Sequence, residues 1–525
     1  MLSRLLGPAA FRTMILTGYC VLAAGLPFSK IPLSLATMWL VLLTLLEARF
    51  SDYLKALKNS KTAITITVLF IWTLCSFCWS DDLHYASQDL ITKLPLFILP
   101  LIFIIHPVEK LRHLRIILAF FLFSVLVTSL INMGSYFHLW NHYTYSDSRN
   151  ISLFLSHIRY GLMISISSVI AYFWFRKSTS SFRWGWFAIF LWFLVYTYFS
   201  QVLSGVVTEL VVLFCICLYE LKIYRSRKRI AIFASVCILA AGSLFYSLYS
   251  FFTDTAEIPE YKDLPVYTAK GNPYHHDLTS TVTENGYPLL YYINEQELKE
   301  EWDKVSVIPY EGKDAKQQEI RYTIIRYMTS KGLRKDAEGV QQLTSEDIRN
   351  IEQGISTVLH FEKGIKGRLY KVRDEITYNH DPNGHGILQR FLYWKAGAHI
   401  FKENLWIGTG SGDIQHAFDT YYDETNSSLK PENRRRTHNQ YLTYAASLGV
   451  SGLLIFLYLL GCLFKEAIQK HSVPGFIILA ILCISFVAED TLETQMGVTL
   501  FAFFAGLIAS YSGDFRASAA VHSLD

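Results

Sequence analysis

The stretch Arg434-Arg435-Arg436-Thr437-His438-Asn439-Gln440-Tyr441 closes a long polar region and runs straight into the apolar run 442–464. A run of that length crosses a bilayer as a helix, so three arginines and a histidine stand at a membrane surface. Thr437 and Gln440 have the Thr-x-x-Gln spacing of a capping box, which predicts a helix that starts at His438. An imidazole there lies among free backbone N–H groups, where the positive end of the helix dipole disfavours imidazolium and attracts anions. A neutral histidine in that position is a candidate base. Asn439 follows it, and Gly449, about three turns on, falls on the same face and allows another group to approach closely. A polar helix start with a small-residue packing face accounts for the same residues without chemistry.

Composition agrees with a membrane setting. Of 525 residues, 51% are hydrophobic and 18% charged, and the mean hydropathy is +0.25, outside the range of a soluble globular chain of this length. The net charge of +4 averages two populations, because more than half of the charged residues fall between Asp254 and Arg436. Nothing in this distribution indicates nucleic-acid binding. All eight cysteines lie in apolar segments, and Cys75-x-x-Cys78 has no second pair or histidine beside it, so it reads as helix packing rather than a metal site. Arg4 and Arg12 precede the first apolar run as in a signal peptide, but further runs follow at once and it reads as an uncleaved first helix.

Counting runs long enough to span hydrocarbon gives 11–28, 31–46, 62–79, 90–105, 116–136, 151–175, 184–198, 202–221 and 230–252, then 441–464, 473–487 and 496–511. The expectation is an all-α polytopic membrane protein of about twelve spans. Lys and Arg collect on every second loop, at residues such as Lys55 and Lys58, Arg112 and Arg115, Arg176 and Lys177, and Lys465 and Lys470. Those loops are expected inside, with both termini, and the region between spans nine and ten outside. The domains are therefore expected at 1–253 (nine helices), 254–437 (one large extracytoplasmic mixed α/β domain) and 438–525 (three helices and a short tail). Thr344-Ser-Glu-Asp347 before Ile348, Ile351 and Ile355 reads as a capped amphipathic helix within the outer domain.

Between 386 and 404, Ile387, Phe391, Trp394, Ala398 and Phe401 recur at helical spacing with Arg390 at the margin, the pattern of an interfacial helix. It leads into Gly408-Thr-Gly410-Ser-Gly412, a turn whose N–H groups are candidates to meet a phosphate, although a plain turn has the same composition. Arg434, Arg435 and Arg436 adjoin a span on the outer side against the orientation rule, which calls for an anion, a lipid headgroup or a specific phosphate. His157 and Arg159 lie just inside the sixth span and Glu209 at comparable depth in the eighth, as a structural Arg159–Glu209 pair or as part of a substrate site. Asp81-Asp82 and Glu489-Asp490 are outer carboxylate pairs with the chemistry to bind a metal, read in preference as solvated loop acids. Arginines and one histidine on one face describe a site for a lipid-linked anion, with a hydroxyl displacing a phosphate or diphosphate and His438 taking the proton. The set requires no metal and no cofactor.

These residues resemble the O-antigen ligase and O-antigen polymerase superfamily. The shared pattern is Arg390 and Trp394 in an amphipathic helix, the turn Gly408-x-Gly410, His438-Asn439-x-x-Leu442, and Gly449, over roughly 390–452. The resemblance implies a GT-C-like fold and a metal-independent, inverting glycan transfer at the outer face of a bacterial inner membrane. The donor would be an undecaprenyl-diphosphate-linked glycan and the acceptor a lipid A-core or other glycan, with membrane lipids as surroundings. His438 matches the family's catalytic histidine and Arg390 its arginine before the Gly-x-Gly turn. Leu405 stands where the family has a proline. The eighth span reads Leu203-Ser-Gly-Val-Val-Thr-Glu209 without the family's Ser-Arg-x-Gly, leaving Arg159 to supply that charge. A polymerase of the same fold, a protein oligosaccharyltransferase and a lipid-linked glycan transporter are the alternatives. A transporter calls for related halves and discontinuous helices with polar midplane residues, whereas this chain concentrates its polar residues at one face, which favours an enzyme.

Overall fold

Apolar side chains recurring without a break leave the backbone only the helix as a way to satisfy its own polar groups in lipid. Accordingly, every predicted run among the described residues is helical. The computed structural model describes residues 2–139, 151–224, 264–280, 282–315, 318–358, 383 and 386–511. In chain order the principal helices of the first unit are Pro8–Gly25 (α1), Lys30–Glu47 (α2), Lys61–Cys75 (α3), Leu83–Ile105 (α4), Leu111–Tyr136 (α5), His157–Lys177 (α6), Arg183–Ser200 (α7) and Leu203–Tyr224 (α8). They continue with Gly386–Glu403 (α9), Ile414–Glu424 (α10), Gln440–Gln469 (α11), Val473–Ala488 (α12) and Gln495–Ser510 (α13). The expected run 230–252 lies outside the described residues. Among the described residues seven helices are long and apolar enough to cross a membrane, and α12 and α13 are shorter apolar helices. The protein is mostly helical and polytopic.

The starts of these helices are written locally. Ser29, Ser60, Asp82, Ser472 and Thr494 each place a side-chain oxygen on an N–H of the first turn of the helix that follows. Between helices in lipid there is no hydrophobic drive, so close fit holds them together. A Cβ on Gly506 of α13 would lie 2.4 Å from the ring of Phe103 in α4, and one on Gly161 of α6 would lie 3.2 Å from the Cα of Gly205 in α8. Leu96, Phe103, Phe121, Leu482 and Phe501 are fully buried in the resulting core.

Residues 1–223 and 382–525 form one compact unit and 224–381 another, so the stretch 386–437 packs with the apolar helices. The second unit is described in part. Its core is Leu298, Trp302, Ile324, Met328 and Ile351, carried by short helices such as Glu295–Val305 and Ile320–Ser330. Where a mixed α/β domain was expected, the described residues hold one antiparallel hairpin, Thr283–Glu284 against Tyr287–Pro288. Asn285 and Gly286 take φ of 51° and 84°, which makes a tight two-residue turn and ends both strands at once. Thr344 and Asp347 form the predicted capping box at the start of Ser345–Glu352.

Candidate functional site

The His438 turn is built differently from its sequence prediction. Helix α11 begins at Gln440, two residues later than expected, because the Asn439 side chain accepts the Leu442 N–H at 3.1 Å and takes the capping role. Thr437 folds back instead: its hydroxyl accepts the Asn439 N–H at 3.1 Å and lies 2.6 Å from the Thr443 hydroxyl. His438, between them, is held in the left-handed region at φ 47°. A non-glycine residue held there costs about 1–3 kcal/mol, a strain that concentrates at working sites.

Opposite this turn, Glu489 and Asp490 follow the end of α12 at Ala488. They were expected as solvated loop acids, yet each is only 9% exposed. The Nδ1 of His438 stands 3.4 Å from Asp490 Oδ1 and 3.6 Å from Glu489 Oε2. These are ion-pair rather than hydrogen-bond contacts, and the buried Nδ1 has no hydrogen-bond partner among the described residues. Burial alone would push the imidazole down, but the two carboxylates outweigh it and lift the pKa to about 9. Burial raises the Asp490 carboxyl in turn, and the facing imidazolium more than offsets that, leaving it below its ordinary value. The expected neutral histidine is therefore corrected. The helix dipole does not act at His438, since the helix starts later, and two acids from another element hold the proton on.

Arg390, in the second turn of α9, completes this layer. Its guanidinium donates to the Ala488 carbonyl at 2.5 Å and to Glu489 Oε1 at 2.9 Å, capping α12 and holding the acid that faces His438. Tyr393, one turn on, stacks obliquely on the imidazole with ring centroids 5.7 Å apart.

Beneath lies a second layer that the sequence reading missed. Glu493 is fully enclosed and pairs with Arg436 at 2.9 Å and Lys93 at 3.0 Å, while Lys93 also holds Asp89 at 2.8 Å. Gln440 donates to Glu493 at 3.1 Å and accepts the Leu492 N–H at 2.7 Å, tying the first residue of α11 to the turn before α13. Burial would raise the Glu493 carboxyl, and Lys93 and Arg436 together bring it well below the usual range. Arg390, Arg436, His438 and Lys93 balance Asp89, Glu489, Asp490 and Glu493. The available signal was Lys93 inside an apolar run with Asp89 four residues before it, since an ionisable group in a span needs a partner.

The glycine turn proves to be a clasp. Gly449 takes φ 69° and ψ −173° and breaks α11 in two. The break frees carbonyls and N–H groups that water cannot satisfy in this setting. Thr409 and Gly410 donate to the Ala446 and Ser447 carbonyls at 3.0 and 2.9 Å, and Val450 donates to the Leu405 carbonyl at 2.8 Å. Ser411 and Gly412 donate to the hydroxyls of Ser76 and Ser80. The N–H groups expected to cradle a phosphate are thus already engaged. A Cβ on Gly408 would lie 2.3 Å from the Ser447 carbonyl carbon, and one on Gly449 2.4 Å from that of Trp406. The close approach predicted for Gly449 is present, achieved by interrupting the helix rather than by sharing a face with His438.

Residues 351–457 match the O-antigen ligase family. The match contains Arg390, both turn glycines, Arg434 to Asn439 and Gly449, and agrees with the resemblance read from the residues. It supports a membrane function of the O-antigen ligase or polymerase kind and a glycosyltransferase-like enzyme. No curated protein matches the chain.

Within and around the matched residues the remaining predicted residues separate. Arg434 is engaged with Asp423 at 2.5 Å and Arg436 with Glu493, so of the three arginines only Arg435 makes no ion pair among the described residues. Glu209 does not pair with Arg159: it is 4% exposed and lies against Ser165 and Ser168, with both oxygens lacking a hydrogen bond among the described residues. The reason is register, since Arg159 is at the start of α6 and Ser165 and Ser168 lie two to three turns deeper. His157 opens α6 and is partly exposed. Asp81 and Asp82 are exposed, and their N–H groups bind the Asp413 carboxylate at 2.8 and 2.9 Å. His438, Glu489 and Asp490 bring donor atoms within 4.8 Å of one another and are the residues with the geometry to hold a cation. Arg390 and the protonated imidazole already occupy that charge.

Proposed function

We propose that the protein transfers a glycan from a lipid diphosphate carrier, of the undecaprenyl type, to a hydroxyl of a lipid A-core at the outer face of a bacterial inner membrane. The observation that carries this reading is the group of half-buried Arg390 and His438 on buried Glu489 and Asp490, within and beside an O-antigen ligase match. The acceptor oxygen attacks the anomeric carbon, the bond from that carbon to the diphosphate breaks with inversion, and the hydroxyl proton passes to the neutral fraction of His438, whose own proton has first gone to solvent. Carboxylates on Nδ1 direct the other ring nitrogen towards the acceptor and make it a stronger base than a free imidazole. Arg390, and Arg435 as the one of the three arginines without an ion pair among the described residues, stabilise the charge on the leaving diphosphate. Arg159 is proposed as a further diphosphate contact and His157 as its support. No step needs a metal. The polar region, with both termini on the opposite side, faces the periplasm in this reading.

The test is the surface lipopolysaccharide of a deletion strain carrying the wild-type gene or His438→Ala. Full-length chains kept on the lipid carrier, with bare core on the surface, are expected from the variant. A core bearing a single repeat unit would instead make the protein a polymerase, and an unchanged profile would remove His438 as the base.

A further inference from the structure

At the end of the helix bundle away from His438, the start of α5, the end of α6, the start of α12 and the end of α13 enclose a cavity of about 610 Å³. Helix α12 runs from this cavity, at Pro474 and Ile478, to Ala488 beside Arg390, a rise of about 20 Å at 1.5 Å per residue. The two sites are therefore separate. The cavity walls are apolar and include Phe173, Trp174, Ile478 and Phe504, while Arg112, Arg115, Lys177 and Lys470 stand around them. Among the described residues that line it there is no Asp or Glu.

These cations are not equivalent. Lys470 donates to the Ile508 and Ala509 carbonyls at 2.8 and 2.7 Å, so its charge is used in capping α13. Arg112 and Arg115 make no ion pair among the described residues, and they sit three apart on one face of α5, where like charges repel. Arg115 also lies near enough to Lys177 to repel it. Arg112 and Arg115, exposed and without an ion pair among the described residues, stand beside an apolar cavity in a membrane-spanning bundle, a combination that suits an anion carrying its own apolar body.

We propose that this cavity binds an anionic phospholipid, its phosphate on Arg112 and Arg115 and an acyl chain against Phe173, Trp174 and Phe504. A guanidinium pair matches phosphate oxygens, and basic pockets between helices on the side of the basic loops suit anionic lipid headgroups. The cavity lies within the size range of built ligand sites.

The experiment reconstitutes the full chain in vesicles of equimolar phosphatidylglycerol and phosphatidylcholine, extracts it in mild detergent, and counts retained lipid by native mass spectrometry. Wild type is expected to keep phosphatidylglycerol in preference to phosphatidylcholine. Arg112→Ala with Arg115→Ala should lower that retention at least about tenfold, the loss of charge-assisted contacts. Ala119→Trp, which fills the cavity without touching charge, should lower it as well. Lys55→Ala with Lys58→Ala, removing two exposed cations elsewhere in the basic loops, should leave it unchanged. Equal retention of the two lipids by wild type, or phosphatidylglycerol undiminished in both cavity variants, overturns the proposal.

Discussion

The imidazole of His438 holds its proton against two buried carboxylates, and rate and stability inherit opposite pH trends from that. Its pKa moves from 6.5 to about 9 in the folded protein. A raised pKa means that the contact stabilises fully below 6.5 and that this contribution is lost as pH climbs through about 9. Thermal midpoints in detergent should fall across that window in wild type and fall less in His438→Ala. The transfer rate should move the other way, rising about tenfold per pH unit until the proton has left and levelling near pH 9. Asp490→Asn removes one of the acids that hold the proton, so its rate profile should level at a lower pH, nearer the value of a free imidazole. An inflection that stays in place would show that Asp490 does not tune His438.

At the scale of elements, the decisive device is the broken helix α11 with the turn that mends it. Gly408 at φ 73° and Gly449 at φ 69° each meet backbone where a Cβ would be, so the neighbour cannot yield as a side chain would. Gly408→Ala or Gly449→Ala should each lower stability by at least about 2 kcal/mol, read as a drop in thermal midpoint. Gly461, in the same helix, has nothing within 4 Å of its Cβ position, and Gly461→Ala should be neutral or stabilising by up to about 1 kcal/mol. Equal effects at Gly449 and Gly461 would mean that the clasp carries no strain. The glycines were legible in the sequence because only a few residue types tolerate such backbone. Their purpose was not, since the Ala446 and Ser447 carbonyls that Thr409 and Gly410 of the turn bind lie 37 residues away. Helix positions were legible for the same local reason: apolar runs and Ser, Thr or Asp caps act within a turn or two. What escaped is what folding brings from afar, namely Glu489 and Asp490 turned inward onto His438.

At the scale of the whole molecule, one buried set of charges joins elements from both ends of the chain. Lys93 and Asp89 come from α4, Arg436 from the segment before the His438 turn, Gln440 from α11 and Glu493 from the turn before α13. Such a set contributes little net stability when complete, because desolvation offsets attraction, but removing one member leaves a charge buried without its partner. Glu493→Gln keeps the side chain's shape and leaves Lys93 and Arg436 to share Asp89, with Lys93 and Glu493 only 6% and 2% exposed in the native pair. It should cost about 3–5 kcal/mol. Lys93→Met should cost a similar amount, but the double variant should cost less than the sum by about 0.5–3 kcal/mol, since each removes the other's stranded partner. The same substitution should also slow transfer, because Arg436 and Gln440 flank the strained His438 turn and Glu493 binds both. A Glu493→Gln protein with an unshifted midpoint but slow turnover would make this network a direct participant in the reaction. An unshifted midpoint with normal turnover would mean that the charges are solvated and that His438 is positioned by the Thr437 and Asn439 turn alone.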